Sequence, residues 1–133
     1  MTASTVPDHN LIHVSCPYLK HDGDAKYIIV GITDATSKNP REFMAYGFVS
    51  IDLYYHSDIF EEYQTILYKQ NRSLRATCLG GGIVTVNNTS KTVKTYGTSG
   101  GYGSASIDLL RYVVAKAFDG YEPNVTITRY IRG

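Results

Sequence analysis

His56 stands where an apolar, strand-like run ends and a helical pattern begins. The first N–H groups of a helix lack intrahelical acceptors, and they form a natural binding site for phosphate. A neutral imidazole can act as a nucleophile or as a general base near neutral pH. The sequence therefore places a reactive side chain beside a predicted anion site. The alternative interpretation is an ordinary histidine at a helix cap.

Two glycine-rich segments offer backbone groups for the same chemistry. Gly97–Gly103 contains four glycines in seven residues, so its N–H groups can point into one concavity, and Ser99 would add a hydroxyl donor. The spacing is neither a dinucleotide fingerprint nor a Walker loop, and the alternative is a plain strand-to-helix connection. Gly80–Gly82 interrupts an apolar strand pattern, which favours either close approach of a backbone or ligand, or a simple bulge.

Lys26 is the one charged residue at the start of an apolar strand pattern. It could supply the cation that a phosphate needs, or it could extend its ammonium group to solvent. The other histidines, His9, His13 and His21, show no metal-ligand spacing with His56. We therefore expect no metal and no cofactor.

The overall composition excludes several classes of protein. A chain of 133 residues predicts one domain, and a formal net charge of +1 argues against nucleic acid or an anionic membrane as partner. No apolar segment reaches the length of a signal peptide core or a transmembrane helix, so a cytoplasmic location is expected. Cys16 and Cys78 are too few and too far apart for a disulfide framework or a zinc site.

The hydrophobic patterns predict a tail or strap at residues 1–24 and one domain at residues 25–133. Apolar and polar residues alternate in strands, and they recur every three to four residues in helices. Strands are predicted at Leu11–Val14, Lys26–Ile32, Phe43–Tyr55, Leu74–Leu79, Ile83–Val86, Thr92–Tyr96 and Val125–Ile131. Helices are predicted from a cap at Ser57 or Asp58 to about Gln70, and from Ile107 to about Gly120.

The order strand, turn, helix, strand occurs twice, at Val49–Leu79 and again at Val93–Ile131. A duplicated β-α-β unit would explain this repetition. In such a fold the two helix starts can lie side by side at one edge of the sheet, where ligands of α/β proteins commonly bind.

Four segments together resemble the janus/ocnus family, over roughly Lys26–Glu122. They are Lys26-Tyr27, Tyr55-His56-Ser57-Asp58-Ile59, Cys78-Leu79-Gly80-Gly81-Gly82 and Tyr96-Gly97-Thr98-Ser99-Gly100-Gly101-Tyr102-Gly103. The resemblance implies an α+β fold with a mixed six-stranded sheet, two main helices and duplicated β-α-β units, as in phosphohistidine phosphatases.

The resemblance also implies an activity. It predicts a monomeric, metal-independent protein phosphatase that hydrolyses phosphohistidine, and also phospholysine, in partner proteins. His56 and Lys26 would be the catalytic residues, with His56 acting as general base or as covalent nucleophile. The residues expected to bind the phosphate or line its site are Lys26, Tyr55, Ser57, Gly80, Ser99 and Gly101, with the backbone amides of Ser57, Ser99 and Gly101 holding the phosphoryl oxygens.

The sequence departs from the family pattern at two arginines. The family usually has an arginine directly after the three glycines, where this chain has Ile83, and another near the segment Phe43–Gly47. Each lost phosphate contact would cost on the order of 1.5–3 kcal/mol. The alternative function is therefore a catalytically weak or inactive module of the same fold that binds phosphate or phosphopeptides.

Overall fold

The computed structural model describes residues 22–36, 45–51 and 55–127. This part of the chain forms five strands and two helices. They are β1 (Gly23–Asp34), β2 (Ala45–Ile51), α1 (His56–Gln70), β3 (Leu74–Asn87), β4 (Thr92–Tyr96), α2 (Ile107–Ala117) and β5 (Glu122–Val125). The predicted strand at Leu11–Val14 and the end of the one at Val125–Ile131 lie outside the described residues. The α+β class is confirmed, whereas a sixth strand is not.

The five strands form one mixed sheet in the order β2-β1-β3-β4-β5. β1 runs antiparallel to both of its neighbours, β3 and β4 are antiparallel, and β4 and β5 are parallel. β1 begins at Gly23, inside the segment that the sequence assigns to the tail. The centre of β1 is buried on both faces of the sheet, which explains its nearly continuous run of apolar residues.

The helices cover opposite faces of this sheet. Tyr27 and Ile29 point to the α2 face, and Ile28 and Val30 point to the α1 face, because successive side chains of a strand alternate. The α1 face buries Ile59, Tyr63 and Leu67, and the α2 face buries Leu110, Val113, Val114 and Phe118. Neither helix of the described ranges combines the length and the hydrophobicity needed to cross a bilayer.

Each helix connects two strands that run in the same direction, β2 to β3 and β4 to β5. This connectivity is compatible with the predicted duplication of a β-α-β unit. The two units differ in pairing, since β4 and β5 are neighbours whereas β1 lies between β2 and β3. The duplication is not confirmed and stays a prediction.

The three glycines do not end a strand. β3 runs without interruption through Gly80–Gly82 and carries a bulge, because Ile29 pairs with Gly80 whereas Val30 pairs with Cys78. Leu79 is therefore the extra residue. Pairing with β1 along its whole length holds β3 together where local propensity alone predicts a break.

Candidate functional site

His56 is the first residue of α1, and only 3% of its surface is exposed. Its Nε2 lies 3.0 Å from the carbonyl oxygen of Gly82. A carbonyl oxygen can only accept a hydrogen bond, so Nε2 carries the proton and Nδ1 holds the lone pair of the neutral ring. The imidazole thus fastens the start of α1 to β3.

The start of α1 has no side-chain cap. Tyr55 is the N-cap residue, and the amides of Asp58 and Ile59 both donate to its carbonyl oxygen. Ser57 and Asp58 were the predicted caps, and that prediction is wrong, because the anchored His56 brings the helix start forward. Within the described residues the Ser57 amide donates to no protein acceptor. In the described part of the chain, the positive end of the helix therefore keeps an N–H donor of the kind that binds anions.

The start of α2 shows the contrast. Its N-cap residue, Ser106, accepts a hydrogen bond from the amide of Leu109 at 3.2 Å. Such a cap satisfies one of the N–H groups that a helix start leaves without an intrahelical acceptor. The two helix starts thus differ in the way expected if only α1 receives a ligand.

The glycine-rich turn is closed by its own hydrogen bonds. The Ser99 amide donates to the carbonyl oxygens of Gly81 (3.0 Å) and Gly103 (3.1 Å). The Gly103 amide donates to the carbonyl oxygen of Ser99 (2.8 Å). The buried Ser99 hydroxyl accepts from the Tyr102 amide at 3.1 Å. The Ser99 amide, which was predicted to hold a phosphoryl oxygen, thus already donates to two acceptors within the protein.

Two amides of the turn, unlike that of Ser99, are not bonded to described residues. In the part of the chain that the structure describes, the N–H groups of Gly100 and Gly101 make no hydrogen bond to the protein. The predicted role of Gly101 as an anion ligand is thus compatible with the structure. Gly100, which the sequence did not single out, joins it as a candidate.

Each of the three consecutive glycines is packed too tightly for a side chain. A Cβ at Gly80 would lie 2.3 Å from the Ala105 nitrogen, and one at Gly81 would lie 2.7 Å from Cδ2 of His56. A Cβ at Gly82 would lie 2.7 Å from the Tyr96 carbonyl oxygen. Close approach, one of the two predicted explanations, therefore applies together with the bulge. Gly80 packs on the residues that lead into α2, whereas it was predicted to line the site.

A cleft of about 400 Å³ lies between the start of α1 and the glycine-rich turn. The described residues that line it are Tyr55, His56, Ser57, Ser99, Gly101 and Tyr102. Two segments more than 40 positions apart in the sequence thus meet around one cavity, as the sequence predicted. Tyr102 was missed, because nothing beyond its place in the turn marks it. Its ring packs on Phe60 with centroids 5.8 Å apart, and burial raises its pKa.

Lys26 lies at the rim of this region. It precedes Ile28 by two residues on β1, so its side chain is on the α1 face of the sheet. Its Nζ is 5.4 Å from the ring centroid of Tyr55, which is 68% exposed. Ile83, at the position of the missing arginine, is the β3 partner of Lys26 and adds no charge. Within the described residues, no group of three potential metal ligands comes together.

Comparison with known proteins gives consistent matches. The model of the Janus/Ocnus family (Ocnus) matches residues 12–122. Sex-regulated protein janus-A of Drosophila pseudoobscura pseudoobscura is 30% identical over 118 residues, covering 86% of this chain and 76% of the relative. Janus-A of Drosophila melanogaster is 29% identical over 120 residues, covering 90% and 81%.

These relatives are named sex-regulated protein janus-A and are not named as phosphatases. This finding contradicts the prediction that the chain is a phosphohistidine phosphatase, and that prediction is withdrawn. The roles of His56 and Lys26 in catalysis, the partner proteins and the cytoplasmic location are not tested by the structure or the comparisons. The family prediction is confirmed over most of the sequence: the chain belongs to the Janus/Ocnus family.

Proposed function

We propose that this chain is a binding protein for a phosphate-like oxyanion, which it holds in the cleft between the start of α1 and the glycine-rich turn. One observation carries the proposal. The uncapped start of α1 and the turn that carries the Gly101 amide meet at the same cleft, and Gly100 precedes Gly101 in that turn. Backbone amides that converge in this way are a common solution for binding phosphate.

Charge supports the same ligand. The helix dipole places positive potential at the Ser57 end of the cleft, and Lys26 adds a cation at the rim, beside Tyr55. A cation and amide donors stabilise an oxyanion through charge-assisted hydrogen bonds. Among the described residues Lys26 is the one lysine at this cleft, so we expect weak binding of inorganic phosphate. A larger phosphorylated ligand would bind more tightly through further contacts.

The position of His56 favours binding over reaction. Its ring is almost completely buried, and Nε2 donates to the Gly82 carbonyl oxygen. The imidazole thus has a structural task, which is to hold the helix start against β3. Binding of an oxyanion requires no chemical step from His56.

The test is a titration with inorganic phosphate at low ionic strength, followed by the amide resonances of the protein. We expect saturable shifts at Ser57, Gly100 and Gly101, and an affinity about tenfold lower in Lys26→Met, because one charge-assisted contact is lost. Lys94→Met is the matched control, since the Lys94 ammonium also lies over a tyrosine ring, 5.8 Å from the Tyr96 centroid. Absence of shifts at the three amides up to about 50 mM phosphate, a generous limit for a weak anion site, refutes the proposal.

A further inference from the structure

Among the residues that the structure describes, the first half of β3 is an unpaired edge of the sheet. β1 pairs with β3 along its length, but β4 pairs only with Ile83–Asn87. At Gly81 the edge is closed by hydrogen bonds to Ser99 and Gly103 of the glycine-rich turn. Between Leu74 and Gly80, no described strand lies on the side that faces away from β1. An edge of this kind can pair with another strand.

The hydrogen-bond pattern shows which groups the edge offers. The Ala35 amide donates to the Ser73 carbonyl oxygen at 2.7 Å, which fixes the positions of the hydrogen-bonded pairs between β1 and β3. Such pairs recur at every second residue of an antiparallel ladder. The N–H and C=O groups of Ala76 and Cys78 therefore point away from β1, and no described residue bonds to them.

The two faces beside this edge differ in chemistry. On the α1 face a groove of about 520 Å³ is lined by Gln64, Thr65, Leu67, Tyr68, Leu74, Arg75 and Ala76. Arg75 and Thr77 start from the opposite face and are exposed, and the Arg75 side chain crosses the edge to reach the Tyr68 ring beside the groove. A strand that paired with the edge would place alternate side chains on these two faces. The set on the α1 face would meet the groove, and the set on the opposite face would start beside Arg75 and Thr77.

The charges around the groove are positive. Arg72 and Arg75 both lie over the ring of Tyr68, with their Cζ atoms 5.8 and 5.6 Å from the centroid, and Lys69 is in the same last turn of α1. Nη1 of Arg75 donates to the carbonyl oxygens of Arg72 and Leu74. The guanidinium thus lies at the Leu74 end of the edge, and no described residue bonds to its Nη2 and Nε donors, which can bind a carboxylate.

We propose that the edge at Ala76–Cys78 is a docking site for an extended segment of a partner protein in which apolar and acidic residues alternate. The segment adds a strand to β3 through the outward groups of Ala76 and Cys78. Its apolar side chains enter the groove beside Tyr68, and its carboxylates pair with Arg75. This surface is distinct from the proposed anion site and does not depend on it.

The probe is a labelled, end-capped peptide of sequence Glu-Val-Glu-Val-Glu-Val-Glu, and its binding is measured by fluorescence anisotropy. We expect saturable binding with a Kd below about 1 mM. Two further peptides carry N-methyl groups on alternate residues, one at the odd positions and one at the even positions. One of the two should bind at least about tenfold more weakly than the unmethylated peptide, because its methyl groups block the N–H groups that pair with β3. This comparison requires no change in the protein.

Protein variants test the charge. Arg75→Gln should lower the affinity about tenfold, whereas Arg111→Gln, an exposed arginine on α2, and Lys26→Met should leave it unchanged. Equal binding of all methylated and unmethylated peptides, or absence of saturation, overturns the proposal. It is also overturned if sedimentation shows that the protein alone forms a dimer that Ala76→Pro dissociates, because a second copy would then occupy the edge.

Discussion

Replacing Gly81 by alanine tests whether backbone contact at this residue holds the site together. The added Cβ would lie 2.7 Å from Cδ2 of His56 and 2.7 Å from the carbonyl oxygen of Tyr27. Ordinary contacts begin at 3.4 Å, so both neighbours would have to retreat by about 0.7 Å. The Tyr27 carbonyl belongs to β1, which is paired on both sides, and the His56 ring is hydrogen-bonded to Gly82.

Overpacking at such a position costs about 1–3 kcal/mol. We therefore expect Gly81→Ala to lower the free energy of unfolding by this amount, measured by urea denaturation, and to lower Tm by about 5–10 °C. The matched control is Gly100→Ala, where nothing lies within 4 Å of the added Cβ, and its stability should stay within about 0.5 kcal/mol of the native value. A Gly81→Ala protein as stable as the control would refute the reasoning.

Two further predictions concern the helix cap and the cysteine. Ser106→Ala removes the side-chain acceptor of the Leu109 amide and should lower the free energy of unfolding by about 1 kcal/mol, measured by thermal or urea denaturation. Ser104→Ala, at an exposed position, should leave the free energy of unfolding almost unchanged. Equal losses in the two variants would contradict the role of Ser106 as a cap. Burial raises the pKa of Cys78 to about 11, so at pH 8 iodoacetamide should modify it about a hundredfold more slowly in the folded than in the urea-unfolded chain, as measured by mass spectrometry. Because the unfolded thiol ionises first, Cys78 should also make stability fall as the pH rises from about 9 to 11, and a Cys78→Ala variant should lack this contribution.

Local sequence patterns predicted the elements well where the local and the tertiary preferences agree. β4 occupies the predicted residues, Thr92–Tyr96, and both helices appear where apolar residues recur at helical spacing. The continuity of β3 could not be predicted in this way. Glycine weakens a strand locally, and only the pairing with β1 keeps Gly80–Gly82 extended.

The candidate site likewise has features that the local sequence predicts and features that depend on tertiary contacts. That the start of α1 and the glycine-rich turn meet was predicted from the two motifs, and the cleft confirms it. The bonding of the Ser99 amide was not predictable, because its acceptors, Gly81 and Gly103, are brought to it by the fold. The position of His56 inside α1 depends likewise on Gly82, which is 26 residues away.

The three glycines explain why the motifs indicated the family correctly and the activity wrongly. Gly80 admits the lead-in to α2, Gly81 admits the ring of His56, and Gly82 admits the Tyr96 backbone, so each is required by packing. The histidine is likewise needed as an anchor for α1. Residues with these tasks identify a fold whether or not a reaction occurs in it. A reaction depends instead on side chains that contact the ligand, and Ile83, where the resemblance predicts an arginine, adds no charge beside Lys26. The structure therefore supports an anion-binding backbone more strongly than any particular chemistry.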